Sequence, residues 1–123
     1  MTDIILNLEL FKHDLKELDY NEHYFWEYRG VTLVIWRHSQ GYLCGYVEIT
    51  DKADIDLNRL YGNTRFYSVE LDWLDEKFKG KEFVGFACNN GDDWTPIDYK
   101  LEDLVYRDTC FVTYVLLSCL RFR

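Results

Sequence analysis

The stretch from His23 to Ile49 constrains this chain more than any other. HYFWEYRGVTLVIWRH is crowded with aromatic and β-branched residues, and Val31, Leu33 and Ile35 alternate there with Thr32, Val34 and Trp36. Such residues favour a pleated surface. An alternation whose two faces are both apolar belongs to a strand covered on both sides. Ser39-Gln40-Gly41 breaks the run with turn chemistry, because Gly41 can take a positive φ. Tyr42, Cys44, Tyr46 and Glu48 then share one face, and Leu43, Gly45, Val47 and Ile49 the other. Residues 23–50 therefore read as one long β-hairpin. Gly45 inside it marks a bulge or a close approach by another element.

The remaining elements follow from the same patterns. TRFYSVELDWL, residues 64–74, alternates as a third strand, and KEFVGFAC, residues 81–88, as a fourth that ends at the turn Asn89-Asn90-Gly91. Asp51 to Gly62 is polar and reads as a loop or one helical turn, and Lys77, Lys79 and Lys81 cluster between strands. Near the N-terminus, Phe11, Leu15 and Leu18 repeat at helical spacing, which predicts a helix over at least 11–19; residues 4–10 suit a helix or a strand equally. Asp108 is a good N-cap for CFVTYVLLSCLRF, residues 110–122. That helix is apolar almost all round, so it is either covered on most sides or the seam of a homodimer. Arg121 and Arg123 stand at its end, where positive charge suits the helix dipole.

The expected architecture is α+β: a four- or five-stranded, mostly antiparallel sheet with the C-terminal helix packed on one face and an N-terminal helix beside it. Its core should draw on Val31, Leu33, Ile35, Val47, Val69, Leu71, Phe83, Phe86, Val112, Val115, Leu116 and Leu120. A length of 123 residues with no linker-like stretch predicts a single domain over residues 1–123.

Charge narrows the function classes. Acidic residues outnumber basic ones 22 to 14, a formal charge of −8, which argues against direct binding of a nucleic-acid backbone. No apolar run approaches the roughly 20 residues of a membrane span. Asp3 sits where a secretory signal would carry a base, so a cytoplasmic protein is expected. The four cysteines (44, 88, 110 and 119) form no C-x-x-C pair, and His13, His23 and His38 form no H-x-x-x-H pair. No P-loop, dinucleotide fingerprint or nucleophile elbow occurs. No catalytic residue, metal or cofactor is expected.

Two segments carry candidate ligand-binding residues. In the first, Trp36, Arg37 and His38 face Tyr42 across the hairpin tip, offering a planar cation and rings that stack. In the second, Asn89, Asn90 and Trp94 lie in a polar turn at a strand end, a common place for a site. The bland alternatives are a solvated hairpin tip and an Asx-rich turn. Cys88 with His38 is the one thiol–imidazole pair to suspect, although a buried core cysteine is the simpler reading. The acid surplus is a third candidate: Asp51, Asp54, Asp56, Asp72, Asp75, Glu76, Asp92 and Asp93 would form a partner-binding surface that occupies a basic groove on another protein.

Three segments also carry a resemblance. Gly41-Tyr42-Leu43-Cys44-Gly45-Tyr46-Val47 resembles the G-x-x-C-G-Y-V segment of small uncharacterised proteins of tailed phages and prophages. Gly85-Phe86-Ala87-Cys88-Asn89-Asn90-Gly91-Asp92-Asp93-Trp94-Thr95-Pro96 resembles their G-F-D-C-A-H-A-G-D-x-x-P segment, and Tyr106-Arg107-Asp108 with Phe111-Val112 resembles their Y-R-D-x-x-Y-V helix start. The matched order covers roughly residues 29–120. Ala87 and Asn90 stand where the family has Asp and His, so any acid–base or metal chemistry of those two groups is missing here. The resemblance implies a non-enzymatic phage accessory protein in the host cytoplasm. With the acid surplus, it suggests an anti-defence inhibitor that binds a host immune protein, for example a nuclease at its nucleic-acid channel. A protein that binds or sequesters a small ligand such as a nucleotide signal is the alternative, and a degenerate metal- or Cys-dependent enzyme the second alternative.

Overall fold

The computed structural model describes residues 2–99 and 103–123. In chain order it contains α1 (Thr2–Leu15), β1 (His23–Tyr28), β2 (Val31–Arg37), β3 (Leu43–Glu48), β4 (Ala53–Ile55), β5 (Arg65–Val69), β6 (Phe83–Ala87), α2 (Thr109–Ser118) and β7 (Leu120–Phe122). Five strands pair in the order β1-β2-β3-β6-β5, every neighbour antiparallel, and β4 and β7 form a second small antiparallel sheet. The fold is α+β, with a helix at each end of the chain.

The expected long hairpin is two consecutive hairpins. The run HYFWEYRGVTLVIWRH folds back at Arg29-Gly30, whose φ values of 52° and 84° both lie in the left-handed region. Tyr28 faces Val31 across that two-residue loop, which is the length and the sign pattern of a I′ turn. The aromatic residues of β1 thus form an edge strand, while β2 is the strand buried on both faces.

The two faces of the sheet are covered differently. On one, Val31, Leu33, Ile35, Leu43, Val47 and Phe86 pack against Val112, Val115 and Leu116 of α2. Gly45 is what lets the helix approach: a Cβ there would sit 2.6 Å from Val112 Cγ1. The β2–β3 register runs through Gly45 without a bulge, so close approach is its role. On the other face, Val34, Cys44, Tyr46, Phe83 and Ala87 meet Leu71 and Phe78 from the β5–β6 connection.

Several expected boundaries shift. The ambiguous residues before Leu10 belong to α1, which begins at Thr2 and ends at Leu15, short of residue 19. Beyond Leu15, the carbonyls of His13 and Asp14 accept turn bonds from Lys16, Glu17 and Leu18, and Asn21 takes a φ of 64° to enter β1. The third strand stops at Val69, which pairs with Phe83, the first residue of β6; the β5–β6 register slips just before, between Phe66 and Val69. Glu70 to Lys81 forms a connection whose 3-10 turn, Glu76–Phe78, is capped by the Asp75 side chain. The C-terminal helix ends at Ser118, and Leu120–Phe122 leaves it to pair with β4. Leu120 reaches the core from that strand. The expected core residues are buried, with Val69 half-buried at the sheet margin.

The end of α1 is fastened by a buried cluster. Phe11 packs on Trp94 and Tyr106 at ring separations of 5.5 and 5.6 Å. Asn7 donates to Leu104 O at 2.7 Å and accepts from Tyr106 N at 3.0 Å.

Candidate functional site

Strand alternation and the turn at Gly41 together build an aromatic cleft on the sheet face away from α2. Trp36 pairs with Cys44 across β2–β3, and Tyr46 lies two residues further along β3 on the same face. Gly85 of β6 makes room for the Tyr46 ring, since a Cβ there would lie 2.4 Å from Tyr46 Cδ1. His38 and Tyr42 flank the hairpin turn, where His38 N donates to Tyr42 O at 2.8 Å and holds the two side chains in register. The opposite wall comes from Phe66 and Val69 of β5 and from Glu70, Leu71 and Trp73 just beyond it. These residues enclose a cleft of about 420 Å³, within the ~300–1,000 Å³ typical of small-ligand sites.

The rings contact one another in a chain. His38 stacks on Tyr42 at 4.5 Å with planes 10° apart. Trp36 meets His38 edge-on at 5.1 Å and meets Trp73, also at 5.1 Å, with an interplanar angle of 79°. Tyr46 stacks beside Phe66 at 6.0 Å. Trp73 is exposed, but its indole Nε1 donates to Glu70 O at 3.0 Å, which fixes the ring over the cleft.

The titratable groups of the lining are held neutral, Glu70 apart. Burial pushes the Cys44 thiol up to about 12 and raises the Tyr42 and Tyr46 phenols. Burial also lowers His38 below its ordinary 6.5, so its imidazole is uncharged at neutral pH. The lining contains Glu70 and neither Lys nor Arg. A cationic or neutral aromatic guest suits such a surface, whereas a phosphate meets a carboxylate and no base.

Of the ligand-binding candidates, the structure brings Trp36, His38 and Tyr42 together in this cleft. Asn89 and Asn90 line a smaller neighbouring hollow of about 200 Å³, joined to the cleft by Tyr42. Arg37 and Trp94 require correction, because both are fully buried on the other side of the sheet. Alternation along β2 points Arg37 away from Trp36 and toward α1. Its Nε donates to Leu18 O at 2.6 Å, Nη1 to Gly41 O at 2.7 Å and to Tyr106 at 3.1 Å, and Nη2 to Asp14 at 3.2 Å. With no surface left to solvent, the guanidinium cannot meet a ligand, and Trp94 is equally enclosed by Phe11 and Tyr106.

Asp93 requires the same correction. It is buried and its carboxylate accepts from Tyr61, from Arg107 Nε at 3.0 Å, and from the backbone and side-chain nitrogens of Asn90, both at 2.9 Å. It cannot meet a protein partner. The other acidic candidates are spread over β4 and four separate connections. Asp51, Asp72, Glu76 and Asp92 are exposed. Asp54 pairs with Arg123, Asp56 lies 3.7 Å from both Arg59 and Arg121, and Asp75 holds His23 at 3.0 Å.

Cys88 is buried, and burial with the nearby Asp93 charge raises its thiol well above the ordinary value. A thiol in that state is no nucleophile, which removes the Cys88–His38 pairing. Among the described residues, no group of three or more His, Cys, Asp or Glu side chains is placed to hold a metal ion, and no helix is long and apolar enough to cross a membrane.

Sequence reasoning missed Cys44, Tyr46, Phe66, Glu70 and Trp73 as cleft residues. The signal for the first two was present: a turn centred on Gln40 makes Trp36 and Cys44 cross-strand partners and puts Tyr46 on their face. Nothing in the sequence signalled that β5 would break off after Val69 and turn Trp73 back over the sheet. Searches against protein-family models, curated proteins and solved structures find nothing that matches this chain.

Proposed function

We propose that this chain is a non-enzymatic binding protein whose ligand seat is the aromatic cleft between the β2–β3 hairpin and the β5–β6 connection. The observation that carries the reading is the cleft itself: six rings, four of them in continuous contact, line about 420 Å³ on the sheet face away from α2. Aromatic walls with a few fixed polar groups are the usual make-up of small-ligand sites. Docking of the carboxylates on a basic host protein has less support, since Asp93 is internal and Asp54, Asp56 and Asp75 are already paired. If the resemblance to phage proteins reflects origin, the ligand would be a small molecule of the infected cell, held rather than transformed.

Trp36 and Trp73 make the test direct. A guest in the cleft should change tryptophan emission, and Trp73→Ala should abolish most of the change while leaving the melting temperature near that of the wild type. Titration with a panel of nucleosides, aromatic amines and alkylammonium ions would establish binding. Uniformly flat titrations, or binding indifferent to both Trp36→Ala and Trp73→Ala, would remove the cleft from consideration.

A further inference from the structure

We infer that the guest of the cleft is a compact organic cation, a free alkylated ammonium compound, with Glu70 as its counter-charge. The inference rests on the binding-protein reading above and deepens it. Ring faces carry the negative end of the aromatic quadrupole, and several rings at steep angles to one another stabilise a cation held among them. Here Trp36 and Trp73 stand at 79° and form a corner, with His38 and Tyr42 continuing one wall and Tyr46 and Phe66 another.

Charge points the same way. Glu70 is the carboxylate at the rim, and no Lys or Arg shares the lining. Burial keeps the imidazole of His38 and the thiol and phenols of Cys44, Tyr42 and Tyr46 uncharged at neutral pH, so nothing in the lining opposes a positive guest. Phosphate-bearing ligands are disfavoured, because they would bring a second negative charge to Glu70 without a base to meet it. A bare ammonium is strongly hydrated and loses its water at a cost, whereas an alkylated one presents an apolar skin to an apolar lining while keeping its charge.

The discriminating pair is choline and 3,3-dimethyl-1-butanol, its uncharged carbon isostere, each titrated into the full chain by tryptophan emission and calorimetry. Choline should bind about tenfold more tightly than the isostere, the size of a desolvated cation–aromatic contact. Glu70→Gln keeps the backbone oxygen that holds Trp73 and should weaken choline about fivefold with no loss for the isostere. His38→Lys places a fixed cation in the lining and should weaken choline tenfold or more. Far-UV circular dichroism checks that both variants remain folded.

Equal binding of choline and the isostere would overturn the cationic guest while leaving the cleft as a ligand site. A nucleoside that binds when choline does not would do the same. Tighter binding of a trimethyl-lysine peptide than of choline would overturn the assignment to a free small molecule. Silence from every ligand of both panels would sink this inference and the binding-protein reading together.

Discussion

Replacing Arg37 with Met should cost this protein a large share of its stability. The guanidinium is fully buried and joins four parts of the chain: the end of α1 through Asp14, the following turn through Leu18 O, the β2–β3 turn through Gly41 O, and the segment before α2 through Tyr106. Methionine fills much of the volume but leaves the Asp14 carboxylate, 9% exposed, without its counter-charge, and two carbonyls without their donors. Breaking one side of a buried ion pair costs about 3–5 kcal/mol. Tyr106 and Thr109 still donate to Asp14, which keeps the cost within that range. Taking about 4 kcal/mol, and a urea dependence of about 1.5 kcal/mol per M, the unfolding midpoint should fall by roughly 2–3 M. A domain stable by about 5–15 kcal/mol stays folded in water after this loss, with a much reduced margin. Equilibrium urea unfolding followed by circular dichroism measures the shift. Asp14→Asn and the double variant complete a cycle in which the two losses should overlap strongly, since both break one contact. A midpoint shift below about 0.5 M for Arg37→Met, or additive losses in the cycle, would refute the claim that this pair pins α1 to the sheet.

Three further outcomes are expected. Gly45→Ala pushes a methyl to 2.6 Å from Val112 Cγ1 and should destabilise by about 1–3 kcal/mol, read as a lower urea midpoint; a neutral result would mean that α2 sits less tightly than described. Cys110 is exposed while Cys44, Cys88 and Cys119 are buried, so a thiol reagent should modify one cysteine quickly in the native protein and all four after denaturation. Choline affinity should hold above pH 6.5 and fall below it: burial lowers His38 beneath its ordinary 6.5, so the imidazole protonates only in more acid solution, where it places a positive charge beside Tyr42 and opposite Glu70. The same shift means that the unfolded chain takes up this proton first, so His38 costs no stability above pH 6.5 and an increasing amount as pH drops toward its folded value.

The sheet and both helices were legible in the sequence because alternation and helical spacing are local signals. Val31, Leu33 and Ile35 announced a strand covered on both sides, and Asp108 announced the start of α2, whose Phe111 N it holds at 2.9 Å. Tertiary choices were less legible. Arg29-Gly30 is a weak turn signal beside Ser39-Gln40-Gly41, so one strand became two. Leu120–Phe122 continues an apolar helical run, and only its pairing with Ala53–Ile55 turns it into a strand. Arg37 and Trp94 have the chemistry of a site, but burial has spent it on structure. The second and third of the segments that resemble phage proteins show the same thing. Asp93 and Arg107 bond each other, Tyr106 bonds Asp14, and Asp108 caps α2, so these motif residues act as fasteners.

The slip in pairing between Phe66 and Val69 gives the two sides of the cleft unequal stiffness. Trp36, Cys44 and Tyr46 stand on central strands with neighbours on either hand, whereas Trp73 hangs from an outermost strand that has already lost its ladder. A guest should therefore be admitted by displacement of one side alone, and its arrival should quieten the Trp73 indole far more than that of Trp36.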